Sequence, residues 1–170
     1  MDAYQALASK REVRRYADRP IAPDVERRIL EAGRVSGSSK NRQPWRFVVA
    51  SEPATRARGA GAVWAPENVR GAGLVLAVVV AGKGPVSFDA GRAAQNMMLA
   101  AWNEGVGSCP NGIADQDAMA EALGLREDDH FAIVLSFGYP ARAVDPEARP
   151  PEEWISRANR RPLDELVERR

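Results

Sequence analysis

Two periods alternate in the apolar positions of this chain, and the switches between them mark out its elements. After Pro23, the residues Val25, Ile29, Ala32 and Val35 recur at helical spacing with Asp24 and Glu26 in the first turn. This predicts an amphipathic helix that stops at Gly37. Residues 88–104 read as the clearest helix, with Asp89 or Ser87 to cap it and Ala94, Met97, Met98, Ala101 and Trp102 as a wide stripe. Gly105 sits where a left-handed stop belongs. Such a stripe packs inside one protomer or against its own copy across a dimer axis. Shorter helices are expected over residues 2–9, 53–61 and 115–123, the last closed by Gly124.

Period-two or continuous apolar runs predict strands over residues 46–51, 74–81 and 131–137. The run 74–81 shows no polar alternation and belongs at the centre of a sheet, buried on both faces. From residue 140 to 151 the chain turns polar and carries Pro140, Pro146, Pro150 and Pro151, which disfavours helix and sheet alike. Only about twenty residues follow, too few for a core of their own. They read as an extended arm with Trp154 and Ile155 as apolar anchors and Leu163, Leu166 and Val167 packing a last helix, or else as a disordered tail.

At 170 residues and 45% hydrophobic, the chain holds one domain with a sizeable core, residues 1–149, plus the arm 150–170 as part of the same domain. No apolar run is long enough for a bilayer and no leader is evident, so a soluble, cytoplasmic protein is expected, with no membrane partner. The 24 basic and 23 acidic residues nearly cancel, which leaves no broad field for nucleic acid. Cys109 is the only cysteine and His130 the only histidine, so neither an internal disulfide nor a metal cluster is expected. A Cys109/His130 dyad is formally possible, but His130 opens an apolar run and both residues read as structural.

Two segments carry candidate chemistry. Ser36 to Phe47, SGSSKNRQPWRF, crowds hydroxyls and amides beside a Pro-Trp step between a helix and a strand. Ser38, Ser39, Asn41 and Gln43 offer neutral donors and acceptors to a polar multi-ring ligand, Pro44 stiffens the turn, and Trp45 adds an apolar face. A solvated Ser/Asn loop is the plain alternative. The second segment, KREVRRY from Lys10 to Tyr16, places four cations within six positions. It reads as a solvated cluster or, in a nearly neutral chain, as a grip for a single phosphate.

Taken together, KREVRRYADRPI, the helix ending in LEAGR, SGSSKNRQPWRFVV, FDAGRAAQNMMLAAWNEGVGSCPNG and the late RRPLDELV resemble the FMN-dependent nitroreductase family in order and spacing across nearly the whole chain. The resemblance implies an α+β, three-layer α/β/α fold with a mostly antiparallel central sheet. It also implies an intertwined homodimer that binds FMN between its protomers, without a Rossmann unit. Gly71-Ala72-Gly73 precedes a strand instead of following one, so the chain has no dinucleotide fingerprint.

Carried over position by position, the family's roles fall on Lys10 and Arg11 for the FMN phosphate and on Arg14 beside the ribityl chain and the pyrimidine edge. Glu12 stands where the family usually has Ser, and its role stays open. Arg160 or Arg161 would close on the phosphate, with Arg161, just before Pro162, preferred. Ser38, Ser39 and Asn41 would line the flavin from the other protomer, with Gln43 and Pro44 in the same wall. Pro110-Asn111-Gly112 matches a turn whose backbone amides reach the N5 and O4 edge of the ring, where Gly112 permits close approach; a plain connecting loop is the alternative.

No side chain is expected to act as catalyst or metal ligand, because FMN would carry the chemistry. The activity implied is hydride transfer from NAD(P)H to flavin and on to a small oxidant such as a nitroaromatic, quinone, enone or flavin, by a ping-pong cycle. Two alternatives share the same motifs: an oxygen-using, flavin-consuming member of the family and a non-catalytic flavin-binding protein. The segment between the first two strands is short for a flavin cover, and Trp64 and Phe88, candidates to border the open face of the flavin or else to pack in the core, receive no role.

Overall fold

The structure, a computed structural model, describes residues 1–170 and resolves into two compact units, Arg11–Val144 and Met1–Lys10 with Asp145–Arg170. The larger unit is built on a four-stranded antiparallel sheet of order β1-β2-β4-β3, with β1 Trp45–Val49, β2 Leu74–Val80, β3 Gly107–Asn111 and β4 His130–Gly138. All seven residues of β2 are buried, as its unbroken apolar run predicts. Its even-numbered side chains, Leu74 to Val80, join Val25 and Ile29 of α2 (Pro23–Arg34) and Met97 and Ala101 of α5 (Val86–Asn103). Its odd-numbered ones join Ala60 of α3 (Pro53–Gly61), Val69 of α4 (Pro66–Arg70) and Met119 of α6 (Gln116–Leu123). Alternation along one central strand therefore sorts the helices into two layers, giving the α/β/α arrangement. No helix is long and apolar enough to cross a membrane.

Several ends differ from the sequence pattern for local reasons. Helix α2 stops at Arg34, three residues before Gly37, because the Ser36 hydroxyl donates to Ala32 O at 3.0 Å and takes over a terminal carbonyl. Gly37 instead leaves room for the Arg92 guanidinium, whose Nη2 lies 2.5 Å from where a Cβ would stand. Helix α5 starts at Val86 without a side-chain cap, and neither Ser87 nor Asp89 serves as one. The left-handed stops were legible, with Gly105 at φ +73° and Gly124 at +60°.

Strand β3, GSCPN, has no strand signature at all. It forms because β4 pairs with it on one side, while Val13 N donates to Ser108 O at 2.9 Å on the other. Pro110 is tolerated there because it shares the outward parity of Ser108, so the ladder loses no donor. Gly107 and Gly138 face each other across β3 and β4, and their missing side chains are replaced by Val13 and Tyr16. A Cβ at Gly138 would lie 2.7 Å from Tyr16 Cγ. Gly138→Val is therefore expected to lower stability by about 1–3 kcal/mol through overpacking. It should also push residues 12–16 off the edge, which denaturant unfolding and proteolysis within that segment will read out.

In the smaller unit, α1 (Ala3–Ser9) pairs with α7 (Pro151–Ser156). The Gln5 amide donates to the carbonyls of Pro146 and Arg149, and the Trp154 indole N–H donates to Pro146 O at 3.0 Å. This unit takes in Met1–Lys10 and Asp145–Arg170 together, and so includes the whole of residues 150–170. Trp154 is buried within its own chain, whereas Ile155 is exposed. The expected last helix is only a 3₁₀ turn, Leu163–Glu165, with Leu163, Leu166 and Val167 all exposed.

Candidate functional site

The residues singled out by sequence fall into three groups. Segment 11–17 threads along the outer edge of β3: Glu12 bridges Ser108, Tyr16 bridges Pro140, and Ala17 N donates to Tyr139 O at 2.8 Å. With Val13 turned into the space above Gly107, Arg14 and Arg15 stay exposed. They line an open groove of about 740 Å³ with Pro140, Ala141, Arg142 and Val144. Arg14 engages no carboxylate of its own chain.

Pro110, Asn111 and Gly112 lie at the end of β3 and not in a free turn, which changes what their backbones offer. Pro110 has no N–H, and ladder parity turns Asn111 toward β4, so of the three only Gly112 turns its amide outward, on the side where its carbonyl accepts from Trp64 N at 3.0 Å. The Asn111 side chain is buried in a polar network. Its amide donates to Ser136 Oγ at 3.0 Å and Cys109 O at 3.0 Å, and its oxygen accepts from Asn68 Nδ2 at 3.1 Å. The Tyr16 hydroxyl joins at Ser136, 3.0 Å from Oγ and 3.2 Å from the carbonyl. Burial holds that phenol far above its ordinary range, so it stays a donor and pins the basic segment to the sheet. Cys109 is buried in the same network, with Asn68 Nδ2 3.7 Å from its sulfur, whereas His130 is exposed at the start of β4.

The loop 36–44 enters β1 at the opposite sheet edge. Lys40, Asn41 and Gln43 adopt φ of +53°, +54° and +50°. Each left-handed non-glycine residue costs on the order of 1 kcal/mol, a strain that concentrates at binding sites. The loop is tied down at three points: Asn96 donates to Ser36 Oγ at 2.7 Å, Gln43 N to Ser38 Oγ at 2.9 Å, and Ser39 N to Asp89 Oδ2 at 3.0 Å. Asp89 is buried, with Arg92 4.0 Å away, and is a loop-positioning residue that the sequence suggested only as a helix cap. Asn41 and Gln43 remain exposed, and Pro44 is half-buried where the chain enters the strand.

Strand order separates the loop from the basic edge. Trp45 is level with Val80 on β2, whereas Ser108 is level, through Phe137, with Leu74. Trp45, where the loop enters the sheet, and Ser108, against which the basic segment lies, thus stand about 14 Å apart across the sheet and about 20 Å along it, or about 25 Å on the diagonal. The chain sets Arg11 and Arg14 beside the Gly107–Ser108 start of β3, with Pro110–Gly112 at the other end of that strand and Ser38–Pro44 at the far edge of the sheet. Lys10, which caps α1, belongs to the smaller unit together with Arg160 and Arg161. Both arginines are exposed, and Arg161 Nε lies 3.3 Å from Glu165 Oε2.

Solved structures share this fold. A nitroreductase-like chain from Desulfovibrio desulfuricans, solved in complex with FMN, superposes with a TM-score of 0.84 at 29% identity, covering 100% of this chain and 98% of that one. A nitroreductase family protein from Clostridium difficile 630 matches the fold with a TM-score of 0.83 at 22% identity, over 99% and 98% of the two chains. In sequence, the NADH dehydrogenase of Thermus thermophilus is 26% identical, covering 91% of this chain and 95% of the relative. These relatives are named as nitroreductases or NADH dehydrogenases, a class of oxidoreductases. The chain belongs to the nitroreductase family, whose description matches residues 7–83 and 86–139.

Proposed function

We propose that this protein is an FMN-dependent oxidoreductase that works as a homodimer, using NAD(P)H to reduce a small organic oxidant. The observation that carries the reading is the separation of about 25 Å between the loop and the basic edge. The family's roles require Arg14 and Ser39 beside one flavin, and only a second copy can set the loop of one protomer against the basic edge of another. The FMN complex of the Desulfovibrio relative supports the same cofactor.

The donor set fits FMN. The basic edge supplies Arg11 and Arg14, with Lys10, Arg160 and Arg161 as further phosphate ligands, and the loop supplies the uncharged groups of Ser38, Ser39, Asn41 and Gln43. At Gly112 the space a side chain would fill is taken by the Trp64 indole, so only a glycine fits there. When bound, FMN would supply the redox chemistry, carrying two electrons between NAD(P)H and the oxidant. Arg14 would hold the negative charge that reduction places on the flavin, the Gly112 backbone would lie near its ring, and the strained loop of a second copy would supply its uncharged partners. With no separate dinucleotide site in the sequence, donor and oxidant use the same space in turn.

Purified protein is expected to be yellow and dimeric by sedimentation, to bleach with NADH or NADPH without air, and to give parallel double-reciprocal lines with a quinone as oxidant. A monomer that holds FMN with undiminished affinity refutes the composite site. Fragmentation of the flavin in air identifies the oxygen-using chemistry instead, and a yellow protein inert to both nicotinamides identifies a flavin-binding protein without reductase activity.

A further inference from the structure

We infer that Lys40, Arg42 and Lys83 form a phosphate subsite at the rim of the flavin site and make the protein prefer NADPH to NADH. The inference rests on the flavin reading above, in which Asn41 and Gln43 stand in the wall of the ring.

The two donors differ only in the 2′-phosphate of the adenosine, which NADPH carries and NADH lacks. Nicotinamide and oxidant use the space over the flavin in turn, so a choice between the donors has to be made beyond that space, by a cation that meets the phosphate. The loop provides one. Arg42 lies between Asn41 and Gln43, yet its side chain leaves the loop for the turn that joins β2 to α5, where Nη1 donates to Lys83 O at 3.1 Å. A Cβ at Gly84 would stand 2.5 Å from the same Nη1, and Gly82 and Gly84 adopt φ of +90° and +106°. A turn that only glycines can make therefore seats the guanidinium.

That contact uses one corner of the guanidinium and leaves the edge of Nε and Nη2, which grips anions in pairs, without a partner in the chain. Lys83 brings a second cation to the turn, and Lys40, held at φ +53°, brings a third from the loop. All three are exposed and none pairs with a carboxylate, whereas Arg28, Arg34, Arg46 and Arg70 each do. Asp89, the one carboxylate of the two segments, is buried and committed to Ser39 N, with Arg92 beside it. The charge left over at this place is positive, and it lies on the same protomer as the loop that lines the ring.

NADP⁺ and NAD⁺, which cannot reduce the flavin, test the inference by binding alone. FMN-loaded protein is titrated with each while the flavin absorbance is followed, for the wild type, Arg42→Ala, Lys83→Ala and Lys83→Arg. The wild type is expected to bind NADP⁺ about tenfold or more tightly than NAD⁺. Arg42→Ala and Lys83→Ala should each weaken NADP⁺ about fivefold to tenfold, between the value of an exposed ion pair and that of a charge-assisted hydrogen bond, and leave NAD⁺ unchanged. Lys83→Arg should keep the preference. Equal weakening of both dinucleotides, or of neither, overturns the inference, the former because the cations would then hold the pyrophosphate that the donors share. Where Arg42→Ala also loses FMN through a shift of the loop, Lys83→Ala decides, because that side chain bonds nothing in the chain. A wild type that takes up no FMN overturns the flavin reading and this inference with it. A yellow wild type that does not tell the two dinucleotides apart overturns this inference alone.

Discussion

Arg14→Ala is expected to weaken FMN binding about tenfold to hundredfold, the value of one charge-assisted contact of about 1.5–3 kcal/mol. It should also slow reduction by NAD(P)H, which Arg11→Ala should do much less. The structure makes this substitution clean. Arg14 is exposed and has no carboxylate partner in its chain, and its neighbour Val13 holds the backbone by filling the space at Gly107. Removing the guanidinium orphans no buried group, so the fold should survive with its stability unchanged. Arg11 is assigned to the phosphate, whose charge does not change on reduction, whereas Arg14 is assigned to the edge where charge appears. Only the latter contact is stronger in the reduced state. Flavin titration and stopped-flow reduction of both variants measure the two effects, and equal effects on both steps would reassign Arg14 to plain phosphate binding.

Trp154→Ala should produce the largest stability loss, about 3–5 kcal/mol for a buried tryptophan. Trp154 is 9% exposed, donates to Pro146 O and has the Arg149 guanidinium 5.2 Å from its ring centroid. Helix α7 has six residues and is too short to persist without that anchor. The loss should therefore appear as local opening, with amide protection falling in α1 and α7 while the sheet keeps its own. Arg161→Ala makes the contrast, because that side chain is exposed and pairs only with Glu165 nearby. It should lower FMN affinity about tenfold or more with the dimer and amide protection unchanged. Truncation before Pro150 should do both and weaken the dimer. If the truncated chain stays dimeric and yellow, the arm contributes neither phosphate contact nor dimer anchor.

Elements were legible wherever side chains alone dictate them. A short apolar run rich in valine and bounded by glycines suits a buried central strand, and β2 is one. Helix α3 occupies the expected residues because Pro53 starts it, and α6 ends where Gly124 takes a left-handed turn. Strand β3 was not legible, because glycine, serine and proline carry no strand preference and the pairing is imposed by β4 and by the chain at Glu12 and Val13. The role of Asp89 was equally hidden. A carboxylate in the first turn of a helix looks like a cap, and only the return of the loop at Ser39 gives it another amide to hold.

The candidate site divides along the same line. The order of the motifs, through their resemblance to the nitroreductase family, implied an α+β chain, while residue type and local spacing by themselves determined its basic and amide-rich segments and the lack of a dinucleotide fingerprint. Which segments meet was decided only by tertiary structure. The order β1-β2-β4-β3 puts the loop and the basic edge on opposite sides of one sheet, and it brings Trp64 against Gly112 from far along the chain. Strand order follows from which buried faces pack best together, a property of the folded whole that no single stretch of sequence records.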